Sequence, residues 1–224
     1  MIKEALIKSV AEIPMKMIGP ICIKGPVMNE EIKVPLATFE TPLWPSAQRG
    51  ARVSVLGGGI HAVVLDDRMS RSVLVQTPSG IDSAHIMSDL ELRTKEIRTV
   101  VEATSRFAKF CDLHIQCVAN LLYLRLEMTT GDASGHNMVT KAADAFLVWL
   151  LKEYNQLEYV SISGNFCTDK KVSAVNGILG RGKNVVADIV VPGKICHRYL
   201  KTSPDKIADI NVKKNLLGSI VAGG

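Results

Sequence analysis

The sequence has no apolar run approaching the roughly 18 residues that a membrane-spanning helix needs. Its longest greasy stretch, from Ala142 to Leu151, is interrupted by Asp144, so no membrane span or anchor is expected. A basic tract interleaved with aromatics, the mark of a nucleic-acid groove, is also missing; the formal net charge of +5 comes from dispersed lysines and arginines. That balance suits small phosphorylated or carboxylated molecules better than nucleic acid. The cysteines, Cys22, Cys111, Cys117, Cys167 and Cys196, are odd in number, lack metal-ligand spacing and follow no signal peptide. Free thiols in a reducing, cytoplasmic compartment and no metal are therefore expected. Disorder is not: the 224 residues are 47% hydrophobic and 22% charged, enough for one large domain or two modest ones.

In chain order, Met1 to Ile13 has roughly helical apolar spacing that Pro14 would end. Ile18 to Gly59, punctuated by Pro and Gly, reads as loop and strand with little helix. The clearest signal follows: a strand at Val73–Thr77, a helix over Asp89–Phe110, a hairpin pair at Leu113–Val118 and Leu121–Glu127, a helix over Ala133–Tyr154 and a strand at Tyr159–Ile162. The order β-α-β-β-α-β is the split, ferredoxin-like unit. It begins and ends within sequence of another character, which predicts an α+β protein with a small domain inserted into a larger one. The expected boundaries are 1–72 for the first part of the large domain, 73–161 for the insertion and 162–224 for the return. Val185–Val191 reads as a further strand, and Ile195–Leu200 and Ile207–Leu217 as helices.

Four motifs carry chemistry. Ser163 to Lys171, SGNFCTDKK, follows a strand end, where sites are commonly built. Asn165, Asp169, Lys170 and Lys171 there suit an anionic substrate, with an Asp-paired lysine stabilising an oxyanion; a polar turn with surface lysines is the plainer alternative. In PLATFETPLWPS, Glu40 stands among Phe39, Leu43 and Trp44, and a desolvated carboxylate there would become a general acid through a raised pKa. A solvated turn glutamate is the alternative. TTGDASGHNM opens the second helix, with Asp132 as its expected N-cap and Gly131 and Gly135 admitting a pyrophosphate to free backbone N–H groups. An ordinary capped helix is the competing reading. Ser105, Arg106 and Lys109 would bind a further phosphate or simply complement a helix C-terminus. GRGK, Gly180 to Lys183, is too short for a P-loop.

Taken in order, PLATFETPLWPS with its following QRG, TTGDASGHNM, SGNFCTDKK and NVKKNLLGS closely resemble the hydroxymethylglutaryl-CoA (HMG-CoA) reductase family from about Ile18 to the end. The resemblance implies a ferredoxin-like NADP-binding small domain inserted into a larger, here incomplete, α/β domain that binds the CoA thioester. It implies NADPH as cofactor, HMG-CoA as substrate, and two hydride transfers that carry the thioester through mevaldehyde to mevalonate, the mevalonate route to isoprenoids. It makes Glu40 the catalytic glutamate and Lys170 the lysine that stabilises the oxyanion. Asp169, Ser163, Lys171, Lys214 and Arg71 then match positions holding the hydroxymethylglutaryl portion, and Ser46 and Arg49 fall near CoA contacts. Ser105, Arg106, Phe107, Asp132, Gly135, His136 and Asn137 match the dinucleotide contacts. A homodimer, or an assembly with a polypeptide carrying the remaining segment, is implied as well.

Phe39, Thr41, Lys16, Met17 and His136 depart from the family's commoner residues. The family's catalytic aspartate and histidine belong to sequence beyond Gly224. The expectation is thus a reductase needing a further segment; the alternative is an inactive remnant or NADP-binding module of the same family. A reductase of another acyl-CoA is a third reading.

Overall fold

The computed structural model describes residues 10–222, so the helix expected over Met1–Ile13 lies mostly outside the described residues. By compactness the chain forms two units. One comprises the described residues up to Val63 together with those from Val186 onward, and the other is the continuous stretch Val64–Val185.

In the first unit, β1 (Met15–Lys24) and β2 (Asn29–Ala37) form an antiparallel hairpin, and β1 also pairs in parallel with the start of β3 (Ile60–Gln76) at Ile23 and Lys24. Between them, α1 (Leu43–Leu56) packs on β1. This 14-residue helix corrects the expectation of little helix before Gly59. Pro42 precedes it and Pro45 lies in its first turn, where a residue has no intrahelical N–H bond to lose, so these prolines start the helix instead of breaking it. Gln48 on α1 bonds both the N–H (3.1 Å) and the carbonyl (2.8 Å) of Gly19. Ser54 accepts from the Cys22 N–H at 3.2 Å. The C-terminal part holds α6 (Gly193–Ile195) continued by π-helical Cys196–Leu200, α7 (Pro204–Ile210), π-helical Asn211–Leu217, and α8 (Gly218–Val221). From α7 to α8 no residue is buried.

The second unit has a hydrophobic core. Its strand order is β6-β3-β5-β4, every neighbouring pair antiparallel, with β4 at Lys109–Val118, β5 at Leu121–Thr129 and β6 at Glu158–Ser161. Leu122, Leu124, Leu126 and Met128 alternate along β5 and join Val73 and Val75 of β3 in one apolar face. Three helices supply the rest: α2 (Gly80–Leu92), α3 (Thr94–Glu102) and α4 (His136–Glu153). Along α4, Val139, Ala142, Ala143, Phe146, Leu147 and Leu150 are buried, the 3.6-residue stripe of a core-facing helix.

The single helix expected over Asp89–Phe110 is corrected to α2 and α3, followed by β4 from Lys109. Ser79 caps α2, accepting from the Asp82 N–H at 3.2 Å and bonding the Asp82 carboxylate at 2.6 Å. The chain breaks at Arg93, whose guanidinium pairs with Glu96 and with Glu153 (2.7 Å) and lies 4.7 Å from the Trp149 ring. α5 (Ala174–Leu179) and β7 (Gly182–Asp188) complete the numbering. Among the described residues, no helix is long and apolar enough to cross a membrane.

Candidate functional site

Within the second unit, the loop after β6 is held from several sides. Asn165, Thr168 and Asp169 all take left-handed backbone angles, φ 64°, 52° and 48°, which non-glycine residues adopt at a cost. Compensating bonds run from Gly164 N–H to the Ser72 carbonyl (2.7 Å), from Thr168 N–H to the Asn165 carbonyl (2.8 Å), and from Asn176 Nδ2 to the Lys171 carbonyl (3.0 Å). The Thr168 hydroxyl donates to the Asn176 side chain. Lys170 Nζ stands 3.6 Å from Asp169, and Arg181 approaches the other carboxylate oxygen at 3.3 Å. The aspartate–lysine pair expected from SGNFCTDKK is therefore formed, and Lys170 and Lys171 stay exposed. Partial burial acts upward on the Asp169 pKa, but the charges of Lys170 and Arg181 outweigh it and hold this carboxyl below its usual range.

Ser163 is in the same loop, 3.6 Å from the Cys167 sulfur. Burial acts upward on that thiol, yet bonds from Ser163 and the nearby backbone, with the charge of Arg71, bring it below the ordinary value. Arg71, on β3, donates to Thr140 of α4 at 2.7 and 3.2 Å, and its charge also reaches Asp169.

The two stretches read as dinucleotide contacts meet in this unit. Ser105, Arg106 and Phe107 form the turn between α3 and β4, with the Arg106 guanidinium 4.7 Å from the Phe107 ring. The Phe107 ring packs beside Gly131, 3.5 Å from where a Cβ on Gly131 would lie. Lys141 Nζ of α4 bonds the Thr104 carbonyl at 3.1 Å. Asp132 is corrected as an N-cap: α4 starts at His136, after Gly135. Thr130 donates to the Ala133 carbonyl (2.8 Å) and turns the intervening residues away from helix geometry. Gly135 has φ 84°, and a Cβ there would lie 2.4 Å from Thr130, so only glycine fits.

Beside this turn is a cavity of about 350 Å³ lined by Asp67, Met69, Thr130, Asp132, His136 and Lys183, among others. Sequence reasoning missed Asp67 and Thr130. Lys183 bonds Asp67 (2.9 Å) and the Gly131 carbonyl (3.0 Å), so the GRGK segment, which fits no P-loop, reaches this wall. His136 contributes a buried Nε2 with no hydrogen-bond partner among the described residues, and α4 carries no side-chain cap on its first turn. An unpartnered imidazole nitrogen and an uncapped helix N-terminus fit an anionic, hydrogen-bonding ligand such as a dinucleotide. Asn137 is exposed in that turn.

Glu40, Ser46, Arg49 and Lys214 belong to the first unit. Glu40 is in the turn before α1, its N–H bonded to Thr38 Oγ1 at 2.9 Å. The desolvated setting expected for it is corrected: Glu40 is exposed, Phe39 is 71% exposed and Leu43 is 40% exposed, so these apolar neighbours do not exclude water from the carboxylate. Trp44 instead bonds the Leu36 carbonyl (2.9 Å) and carries Lys16 over its ring at 4.7 Å. Ser46 and Arg49 are exposed on α1, and Lys214 is exposed in π-helical Asn211–Leu217.

These features define a mixed α+β protein in which a strained polar loop presents an aspartate–lysine pair and a glycine-shaped turn opens a helix beside a cavity. The family model for hydroxymethylglutaryl-coenzyme A reductase matches residues 3–224, and the chain belongs to that family. It is 40% identical over 213 residues to the 3-hydroxy-3-methylglutaryl-coenzyme A reductase of Aeropyrum pernix, covering 95% of this chain and 51% of that protein. Against the enzyme of that name from Xenopus laevis the identity is 40% over 209 residues, covering 91% of this chain and 24% of the relative. The chain thus spans about half the length of the archaeal relative. The fold is similar to that of the class II 3-hydroxy-3-methylglutaryl-CoA reductase of Streptococcus pneumoniae bound to NADPH, with a TM-score of 0.62 at 18% identity, covering 85% of this chain and 49% of that one.

Proposed function

We propose that this chain is the NADPH-binding and substrate-activating part of an HMG-CoA reductase, acting together with a segment that supplies the family's remaining aspartate and histidine. The observation that carries this reading is the loop after β6, which holds Lys170 3.6 Å from Asp169 on a strained backbone. The strand order β6-β3-β5-β4 with its two helical crossovers supports a ferredoxin-like NADP-binding domain inserted into the substrate domain.

Ser105, Arg106 and Phe107, with Asp132, Gly135, His136 and Asn137, would hold the dinucleotide. Bound NADPH supplies the hydride that reduces the thioester carbonyl. Lys170 sets its ammonium where the carbonyl oxygen gains negative charge, and fixed charge of this kind lowers the barrier because it needs no reorganisation during reaction. Asp169, Ser163, Arg71 and Lys171 orient the hydroxymethylglutaryl portion by charge and hydrogen bonding. The cysteines are all free thiols, which supports a cytoplasmic location.

The test is NADPH oxidation with HMG-CoA by the chain alone and after mixing with a polypeptide matching the second half of the archaeal relatives. Negligible turnover alone, turnover on mixing, and its loss in Lys170→Ala are the expected results. Wild-type rates in Lys170→Ala would remove the oxyanion role. A chain that binds NADPH but never turns over would favour the non-catalytic NADP-binding reading.

A further inference from the structure

Arg125 and Glu127 sit on β5 on the opposite face from Leu122, Leu124 and Leu126, and both are 0% exposed. Arg125 Nε donates to Glu127 at 2.7 Å, but its two terminal nitrogens go elsewhere: one donates to the Phe166 carbonyl at 3.1 Å, the other to the Gly180 carbonyl at 2.6 Å. Glu127's second oxygen is taken by Arg68 at 2.9 Å, with His114 Nε2 at 3.4 Å. Glu127 therefore keeps a cationic partner without Arg125, and neutralising Glu127 does not account for where the Arg125 fork points.

The two carbonyls bracket the aspartate–lysine pair. Phe166 precedes the left-handed residues Thr168 and Asp169 within the loop, and Gly180 precedes Arg181, the residue that reaches Asp169 at 3.3 Å. Gly180 itself has φ 82°. One planar guanidinium thus ties both segments flanking Asp169 to a central strand. A lysine ammonium, a point donor on a flexible stem, cannot reproduce this fork.

We propose that Arg125 is a positioning residue that fixes Lys170 and Asp169 through the Phe166 and Gly180 carbonyls, with Glu127 orienting its fork. The consequence for catalysis rests on the reductase reading above; the positioning does not. A buried ion pair replaced by apolar residues of similar size commonly keeps or gains stability, so loop order and global stability can be separated.

The experiment compares wild-type chain, Arg125→Lys and the double variant Arg125→Met/Glu127→Met by thermal melting and residue-resolved amide exchange. Both variants are expected to melt within a few degrees of wild type, while the hydrogen-bonded amides of Gly164, Thr168 and Lys171 exchange at least about tenfold faster and those of the β4–β5 pairing do not change. Unchanged loop exchange in either variant, or protection lost equally from loop and strands, overturns the proposal. Should the double variant fail to fold, Arg125→Lys decides alone. In an assembly that turns over, Arg125→Lys should lower kcat about 100-fold at unchanged KM for NADPH; a raised KM with unchanged kcat counts against positioning. Absence of turnover in the wild type overturns only the reductase reading, since exchange is measured on the chain itself.

Discussion

Gly135 shows how much a single position can depend on its surroundings. Its φ of 84° and the 2.4 Å separation of a built Cβ from Thr130 leave no room for a side chain. Gly135→Ala should destabilise the chain by about 1–2 kcal/mol from the left-handed backbone alone, with more from the clash, as read by denaturant unfolding. Under the NADPH-binding reading proposed above, it should also weaken NADPH binding more than Asn137→Ala does; equal loss in the two variants would count against that reading. Tyr154 makes a second residue-scale prediction. Burial, followed by its bond to Asp89, pushes the phenol up to about 12, above the ordinary value near 10. With the folded pKa raised, this contribution to stability is complete below pH ~10 and disappears as pH rises through about 12. Tyr154→Phe should therefore flatten the alkaline fall in stability, and an unchanged slope in that variant would refute the assignment. Of the candidate residues, Lys170 and Asp169 were legible because they are neighbours in sequence. Arg125 was not: nothing local in LLYLRLEM marks it, because the Phe166 and Gly180 carbonyls it bonds lie far along the chain.

At the scale of elements, α4 and the segment from α7 to α8 are opposites. Phe146 on α4 is fully buried and stacks on Trp149 at 5.8 Å between ring centroids. Phe146→Ala should cost about 3–5 kcal/mol. Leu216, in a segment with no buried residue, should change the stability of the chain alone by no more than about 0.5 kcal/mol on substitution by alanine. Chemical denaturation of both variants checks the contrast, and similar losses in the two would sink it. The hairpin β4–β5 and α4 were readable from periodicity because apolar residues alternate along β5 and recur at helical spacing along α4. α1 was hidden by its prolines, whose effect depends on their place in the first turn. The break at Arg93 was hidden because Glu153, Trp149 and Tyr154, which engage that side chain, are distant in sequence.

For the whole molecule, the distribution of core predicts the order of unfolding. Val64–Val185 holds the hydrophobic cluster, whereas among the described residues outside it the buried apolar ones are few: Ile18, Ala51, Val53, Ile195 and Cys196. Limited proteolysis should therefore cut first outside Val64–Val185 and leave a resistant fragment spanning it; early cleavage within β3, β5 or α4, identified by mass, would contradict this. The sequence by itself determined the β-α-β-β-α-β pattern within that unit, though not the split into α2 and α3 or the later α5, and it determined the SGNFCTDKK and TTGDASGHNM motifs, because these are properties of local pattern and spacing. Tertiary structure alone decided which carbonyls a buried guanidinium grips, that Glu40 stands in water, and that the Ser105–Phe107 turn lies against Gly131. Those outcomes depend on contacts between residues far apart in the chain, which no local periodicity encodes.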